Sequence, residues 1–541
     1  MMISRKSISV GVAATTLLVL TAACSSDGSG RPPARADVER PGSYPELPDA
    51  LGTQTLDWSD CPTPSPSQDP MATAPPDDLP DGTGWECADL TVPLDYAEPE
   101  GDTIELALNR AVSPVPSEDR IGSLLFNFGG PGGSGVATLP LAAEDYEELR
   151  AGGFDLVSFD PRGVGESEGI ECLDGPARDA ASQELTGIPD TEAERAVAER
   201  QDREYVEGCV ADSGHLLPHV TTANTARDLD LIRHVLGDTR LNYVGISYGS
   251  QLGAAYANLF PDRVGRTVLD AVVDPDPDPV HQSLLDAEGF QLALDHYLAD
   301  CVDRASCPAG DDVAAGARWL SQLLDELEEE PLPTDDPDGR LLNSLLAYTG
   351  IVSALYSEET WEYLTMGLNE VRERGTGSLL LYLADFYDGR DPATGEYSSQ
   401  NDSFVAIRCA DRPGGMSEEE LLAYEDEFIE TSEVFGRYMV WGLAGCGEHW
   451  PVTEAAEPQD YDATGAAEPI LLVATTGDPA TPHSGAERMQ DAMGGPGIAP
   501  LLTYDGEGHG AYTGGDPCVV EAVNAHLLTG DVPEDGLVCQ G

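Results

Sequence analysis

Six short apolar runs, each followed within three residues by Gly or Asp, restrict what this chain can fold into more than any other feature: residues 123–128, 154–159, 241–246, 267–273, 469–474 and 499–504. A strand covered on both faces reads as a nearly unbroken apolar run, whereas a half-exposed strand alternates. The runs therefore predict buried parallel strands. Between several of them the apolar spacing changes to about 3.6 residues, as from Thr225 to Leu236, which predicts helical crossovers of the right-handed sense. The expected class is α/β, a mostly parallel sheet flanked by helices. In such a sheet the reactive loops lie beyond the C-terminal ends of the strands.

Two edge strands precede the runs, near Cys87–Leu94 and over the alternating stretch Thr103–Ala111. No strand signal interrupts the stretch from Val273 to Pro469. Amphipathic segments there, such as Val313–Leu327 and Leu341–Tyr356, predict a mainly helical lid inserted into the sheet domain. The expected organisation is a signal peptide over 1–23, a lipidated N-terminus and flexible tether over 24–80, core over 81–275, lid over 276–465 and the rest of the core over 466–541. The tether rests on composition, since Ser, Pro, Gly and Asp dominate that stretch and apolar residues are few.

Of the 541 residues 98 are acidic and 28 basic, a net charge of −70, and Lys6 is the sole lysine. A polyanion repels a phosphate backbone, so nucleic acid is excluded as a partner. Such a surface attracts ammonium groups, and it equally suits solubility at high salt. The leader carries Arg5 and Lys6, an apolar stretch Val10–Leu20 and the small residues Thr21-Ala22-Ala23 before Cys24. That pattern is an export signal. Its end resembles a bacterial lipobox, with Thr21 where Leu is usual, which implies lipidation of Cys24 and membrane attachment through that lipid alone. Of eleven cysteines, ten then remain, enough for five disulfides in an oxidising compartment. Sequence does not fix their connectivity. Short loops favour pairing of neighbours, Cys61–Cys87 through to Cys518–Cys539. No cysteine or histidine spacing suits a metal, and no cofactor is implied.

The segment Leu241–Phe260 reads as strand, sharp turn and helix, with Gly245-Ile-Ser247-Tyr-Gly249 at the turn. A nucleophile elbow needs small residues on both sides of its serine because the backbone there is strained. The same spacing recurs at Gly165-Glu-Ser167-Glu-Gly169, but Ile170 to Pro176 cannot open a helix, and two flanking glutamates would repel an alkoxide. Ser247 is the candidate nucleophile. Directly after an apolar strand, Gly129-Gly-Pro-Gly-Gly-Ser-Gly135 offers backbone N–H groups for an oxyanion, and in an α/β-hydrolase the second donor is the residue after the nucleophile, Tyr248. His509, in a Gly-rich loop after the last apolar run, is the candidate base. Asp478, after the preceding run, is the candidate acid. His483 lies too close to Asp478 in sequence to fill a separate strand end, Asp270 falls inside its strand, and Asp274 is the alternative acid.

These residues resemble the secreted tripeptidyl aminopeptidases of actinobacteria, α/β-hydrolases related to proline iminopeptidases. The shared marks are Gly129–Gly135, Asp160-Pro-Arg-Gly-Val-Gly-Glu-Ser167, Gly245–Gly249, Gly477-Asp-Pro-Ala-Thr-Pro482 and Gly508-His-Gly510, within a likeness running from about Trp85 to the C-terminus. The resemblance implies release of short peptides from free N-termini of peptides or proteins, with Asp478 and His509 as acid and base. Phe128 stands where proline iminopeptidases have His, which leaves Gly129 or Gly130 as the loop donor, and Gly130 is the choice carried forward. The stretch Ala406–Asp411 resembles a lid segment of the family, which implies a Cys409–Cys446 bridge and makes Asp411 the candidate for the substrate ammonium. The same triad could act on esters or acyl lipids, and a non-catalytic acidic envelope lipoprotein is the reading of another class.

Overall fold

A computed structural model of the chain describes residues 47–304, 307–447, 449–452 and 459–541. Within them ten strands form one sheet: β1 (Ser59–Asp60), β2 (Glu86–Pro93), β3 (Thr103–Ala111), β4 (Gly122–Asn127), β5 (Phe154–Phe159), β6 (Leu241–Ile246), β7 (Val264–Asp270), β8 (Ile470–Gly477), β9 (Leu501–Glu507) and β10 (Leu537–Gln540). Their order is β1-β2-β3-β5-β4-β6-β7-β8-β9-β10. The first three strands run antiparallel to their neighbours, and all pairs from β5 to β10 are parallel. From β4 the chain returns to β5 on one side and later places β6 on the other. The loops after β4 and β6 therefore face each other where the strand order reverses, the usual place for a ligand crevice.

Strands β4 and β5 are buried at every position, which is why their sequences read as unbroken apolar runs. Alternate residues serve opposite faces of the pleat. Leu125, Val157, Tyr243, Leu269 and Leu472 join one core layer, while Leu124, Phe126, Leu156, Val244, Val268 and Leu471 join the other.

The lid has a third core of its own. Helices from Pro279–Val302 to Gly436–Gly442, all between β7 and β8, bury Phe290, Leu294, Tyr297, Leu320, Leu368 and Phe435 together. The roof also draws on the β5–β6 connection, which the expected boundary at 276 leaves out. From its helix Gly175–Glu184, Asp179 receives both Nε and Nη2 of Arg390 at 2.9 and 2.8 Å, and the Ser182 carbonyl accepts Asn343 Nδ2 at 2.7 Å.

The tether expected as far as residue 80 is a second correction. Leu51, Cys61 and Leu79 are buried. Gln54 bonds the Thr91 backbone in both directions, and Gln68 Nε2 donates to Asp160 at 2.8 Å. Cys24 and the leader lie outside the described residues. The disulfides are Cys61–Cys87, Cys172–Cys209, Cys301–Cys307, Cys409–Cys446 and Cys518–Cys539, each joining sequence neighbours. Among the described residues, no helix is long and apolar enough to cross a membrane.

Candidate active site

Strand β6 passes into the helix Tyr248–Leu259 through one residue, Ser247, at φ 58° and ψ −124°. A positive φ is strained for a side chain and marks a nucleophile elbow when strand and helix flank it. The turn closes because its neighbours lack side chains: a Cβ on Gly249 would stand 2.5 Å from the Asn127 carbonyl oxygen, and one on Gly245 would meet the Gly249 carbonyl. Ser247 N–H donates to the Asp270 carbonyl at 3.0 Å. The side chain is half-buried, and among the described residues its hydroxyl makes no hydrogen bond. No side chain caps the following helix, so the Tyr248 N–H in its first turn has no helical acceptor.

The glycine loop after β4 lies against this turn. Gly129, at φ 91°, has its Cβ position 2.9 Å from Ser247 Cβ and 3.2 Å from Tyr248 N, an approach only glycine allows. Its own N–H is taken by Asn127 Oδ1 at 3.1 Å. Asp160, wholly buried at the end of β5, braces the far end of the loop: one oxygen accepts Ser134 Oγ (2.6 Å) and Val136 N (3.1 Å), the other Gln68 Nε2 (2.8 Å) and Glu166 N (3.1 Å).

His509 Nδ1 lies 2.9 and 3.1 Å from the two carboxylate oxygens of Asp478, on the loops after β9 and β8. Asp478 is fully enclosed and further accepts Ala480 N, Thr481 N and Thr481 Oγ1 at 2.9–3.0 Å. A carboxylate can only accept here, so Nδ1 carries the proton and a neutral imidazole has Nε2 free as a base. Burial opposes the imidazolium, but the charge and hydrogen bond of Asp478, with Asp270 behind them, raise the His509 pKa above its ordinary value. The lid grips the histidine as well: its N–H donates to the Tyr356 carbonyl at 2.8 Å, and the Tyr356 ring meets it edge-on at 5.3 Å.

Asp270 is the residue that sequence reasoning set aside. It closes β7, and its buried carboxylate accepts Ala511 N (3.1 Å) and Tyr512 N (2.9 Å) from the histidine loop, while its carbonyl holds Ser247 N. One residue thus fastens the elbow to the base, and the Cβ position of Gly510 lies 3.8 Å from Ile246 Cγ2. A lone Asp where an apolar strand ends was the available signal.

The rivals are occupied elsewhere. Asp274 pairs with Arg488, His483 Nε2 meets Thr503 Oγ1 at 2.8 Å, and Ser167 is buried with its hydroxyl on the Asp160 carbonyl at 2.6 Å. Among the described residues Asp411 makes no hydrogen bond or ion pair with the triad, and it reaches Tyr248 only through Thr222, whose hydroxyl lies 2.7 Å from the Tyr248 hydroxyl. The Asp411 oxygens accept Thr222 N (2.8 Å) and Thr222 Oγ1 (2.5 Å) at a helix start, beside a small cleft lined by Ala255, Asn258 and Leu259. Those residues lie toward the end of the helix farther from Ser247. Burial pushes the Asp411 pKa up to about 6.

Comparison with known proteins places the chain in a family. Residues 432–539 match the TAP-like protein family of α/β-hydrolases. Serine protease Hip1 of Mycobacterium tuberculosis is 37% identical over 503 residues, 90% of this chain and 91% of that protein. Carboxylesterase B of the same organism is 35% identical over 461 residues, 84% and 86% of the two chains. Tripeptidyl aminopeptidase of Streptomyces lividans is 31% identical over 466 residues, 84% and 83%. Likeness at this level over nearly the whole length is that of one family, and the chain belongs to the TAP-like α/β-hydrolases as a serine hydrolase.

Proposed function

We propose that the protein is an exported aminopeptidase that releases short peptides from free N-termini through a Ser247–His509–Asp478 acyl-enzyme mechanism. The observation that carries this reading is the Asp478–His509 pair on the loops after β8 and β9, tied through Asp270 to the strained Ser247 turn. His509 Nε2 takes the proton of Ser247 as its Oγ attacks the scissile carbonyl carbon. The oxyanion is received by the N–H groups of Tyr248 and Gly130, because Asn127 already occupies the Gly129 N–H. Collapse of the tetrahedral intermediate expels the amine, which takes the proton from His509. Water then repeats the sequence on the ester and frees Ser247.

The peptide class follows from the two relatives named as a protease and a tripeptidyl aminopeptidase. Export is supported by the leader and by five disulfides, which persist in oxidising compartments. Lipidation of Cys24 would hold the enzyme at the membrane. A second reading, hydrolysis of carboxylic esters by the same triad, is favoured by the relative named carboxylesterase B. Digestion of a peptide library with mass-spectrometric product analysis separates them. Short N-terminal fragments from unblocked peptides are expected, and turnover of esters with no peptide cleavage would replace the first reading by the second.

A further inference from the structure

We propose that Asp286 receives the free α-ammonium group of the substrate, the role that Asp411 is not placed to fill. The inference rests on the aminopeptidase reading and adds the residue that recognises the N-terminus.

Asp286 lies on the first lid helix, Pro279–Val302. That helix rests directly on the acid loop: a Cβ on Gly289 would meet the carbonyl oxygen of Pro479, the residue after Asp478. Asp286 precedes Gly289 by three residues, about 4.5 Å along the axis and close to one turn, so it lies on the same face. Phe290, four residues on, shares that face and meets Tyr356 edge-on at 5.6 Å. Tyr356 in turn touches His509, and its hydroxyl stands 3.4 Å from that of Tyr387. The face bearing Asp286 thus overlooks the base. A second wall is the helix Gln400–Asp411, whose start covers the glycine loop: a Cβ on Gly132 would meet the Gln400 carbonyl. From that helix Arg408 extends over the Phe404 ring at 5.1 Å.

What sets Asp286 apart is its lack of a partner. Asp478, Asp270 and Asp274 have protein donors, and Asp388, on the neighbouring lid helix, accepts Asn401 Nδ2 at 3.0 Å. Among the described residues Asp286 accepts no hydrogen bond and joins no ion pair. Burial pushes its pKa up to about 7, against the attraction of Arg408 and with repulsion from Asp274 and Asp478. A half-buried carboxylate without donors is unfavourable, and an arriving ligand with charge and N–H groups relieves it. An ammonium supplies both, and the faces of Tyr356 and Tyr387 nearby suit a cation. An acylated terminus keeps a single N–H and no charge, and a simple ester supplies neither.

The test compares wild type with Asp286→Asn on three substrates: a peptide with a free N-terminus, its N-acetylated counterpart and a small acyl ester. Wild type should favour the free peptide over the acetylated one. The variant should lose about 10- to 100-fold in kcat/KM on the free peptide, mainly through KM, and with it the preference, while ester turnover stays within about twofold. Asp411→Asn should keep the preference. An Asp286→Asn enzyme that still favours the free terminus overturns the assignment and leaves the peptidase reading standing. Wild type that turns over the ester but neither peptide overturns both. Should the Asn variant lose ester turnover too, Asp286→Glu decides: a retained preference supports the assignment and an absent one overturns it.

Discussion

The floor and the roof of the site are built on opposite rules. On the floor, formed by loops at the strand ends, the polar groups around the nucleophile are held. Asp478 accepts from two backbone N–H groups, a hydroxyl and His509; Asp160 accepts four hydrogen bonds; Asp270 joins the elbow to the histidine loop. On the roof, Asp286 has no donor, and Tyr387 and Arg408 are exposed, Tyr387 at 37%. A floor whose dipoles are fixed beforehand need not reorganise as charge develops, which is where catalytic power originates. A roof with unmet polar groups binds by meeting them. The difference teaches that chemistry and recognition are separable here, and substitutions should divide accordingly.

The largest effect should come from the nucleophile itself. Ser247→Ala is expected to lower kcat by about 10⁴–10⁶ on peptide and ester alike, with thermal unfolding unchanged and fluorophosphonate labelling abolished. A variant with a tenth of wild-type turnover would remove Ser247 from the mechanism. Next comes Asp478→Asn, about 10⁴-fold, because the amide favours the wrong imidazole tautomer. Losing less than tenfold would show that the Asp478–His509 contact is incidental.

A smaller effect tests whether the floor acts as one unit. Asp270→Asn keeps the shape of the side chain but offers one good acceptor to two backbone N–H groups. Loosening of the histidine loop should cost about 10- to 100-fold in kcat with little change in KM. The pH profile adds a readout that packing damage alone would not move. Protonated His509 cannot take a proton, so activity falls as pH drops through its pKa, which lies above the ordinary 6.5 partly because of Asp270. Removing that charge should shift the acid limb of kcat/KM to lower pH. An unmoved limb would mean that Asp270 does not reach the base electrically. Gln68→Ala, one brace farther out, should lower kcat by less than about tenfold through a looser glycine loop.

Much of the floor was legible in the sequence because catalytic loops follow buried strands, and buried strands announce themselves by unbroken apolar runs. The strands Phe154–Phe159 and Leu241–Ile246 fall where the runs place them. The run at 267–273 does not: β7 begins at Val264 and stops at Asp270, because the next residue, Ala271, takes a φ of 51° that leaves the extended backbone. Residues 47–80 read as a tether because few of them are apolar, yet order there comes from scattered anchors, Leu51, Leu79 and the Cys61–Cys87 bridge, and from amide bonds of Gln54 and Gln68. Composition does not reveal such anchors. The roof was least legible. Asp411 and Asp286 are both lid acids, and what separates them is that one has Thr222 and the other has nothing, a distinction made only by folding.

The smallest effect concerns stability and carries the opposite sign to activity. Burial holds the Asp286 pKa at about 7, against 3.8 for an ordinary aspartate. A group whose pKa is raised on folding supports the folded state fully below its unfolded pKa, and that support is lost as pH rises through the folded pKa. The penalty on wild type should therefore grow between about pH 4 and pH 7 and then level off. Asp286→Asn removes it, so the variant should melt at the same temperature as wild type near pH 4 and at a progressively higher one up to pH 7, while its aminopeptidase activity falls. Thermal melts across that range test this directly. A variant less stable than wild type at pH 7 would mean that Asp286 has a protein partner after all, and the roof would then follow the same rule as the floor.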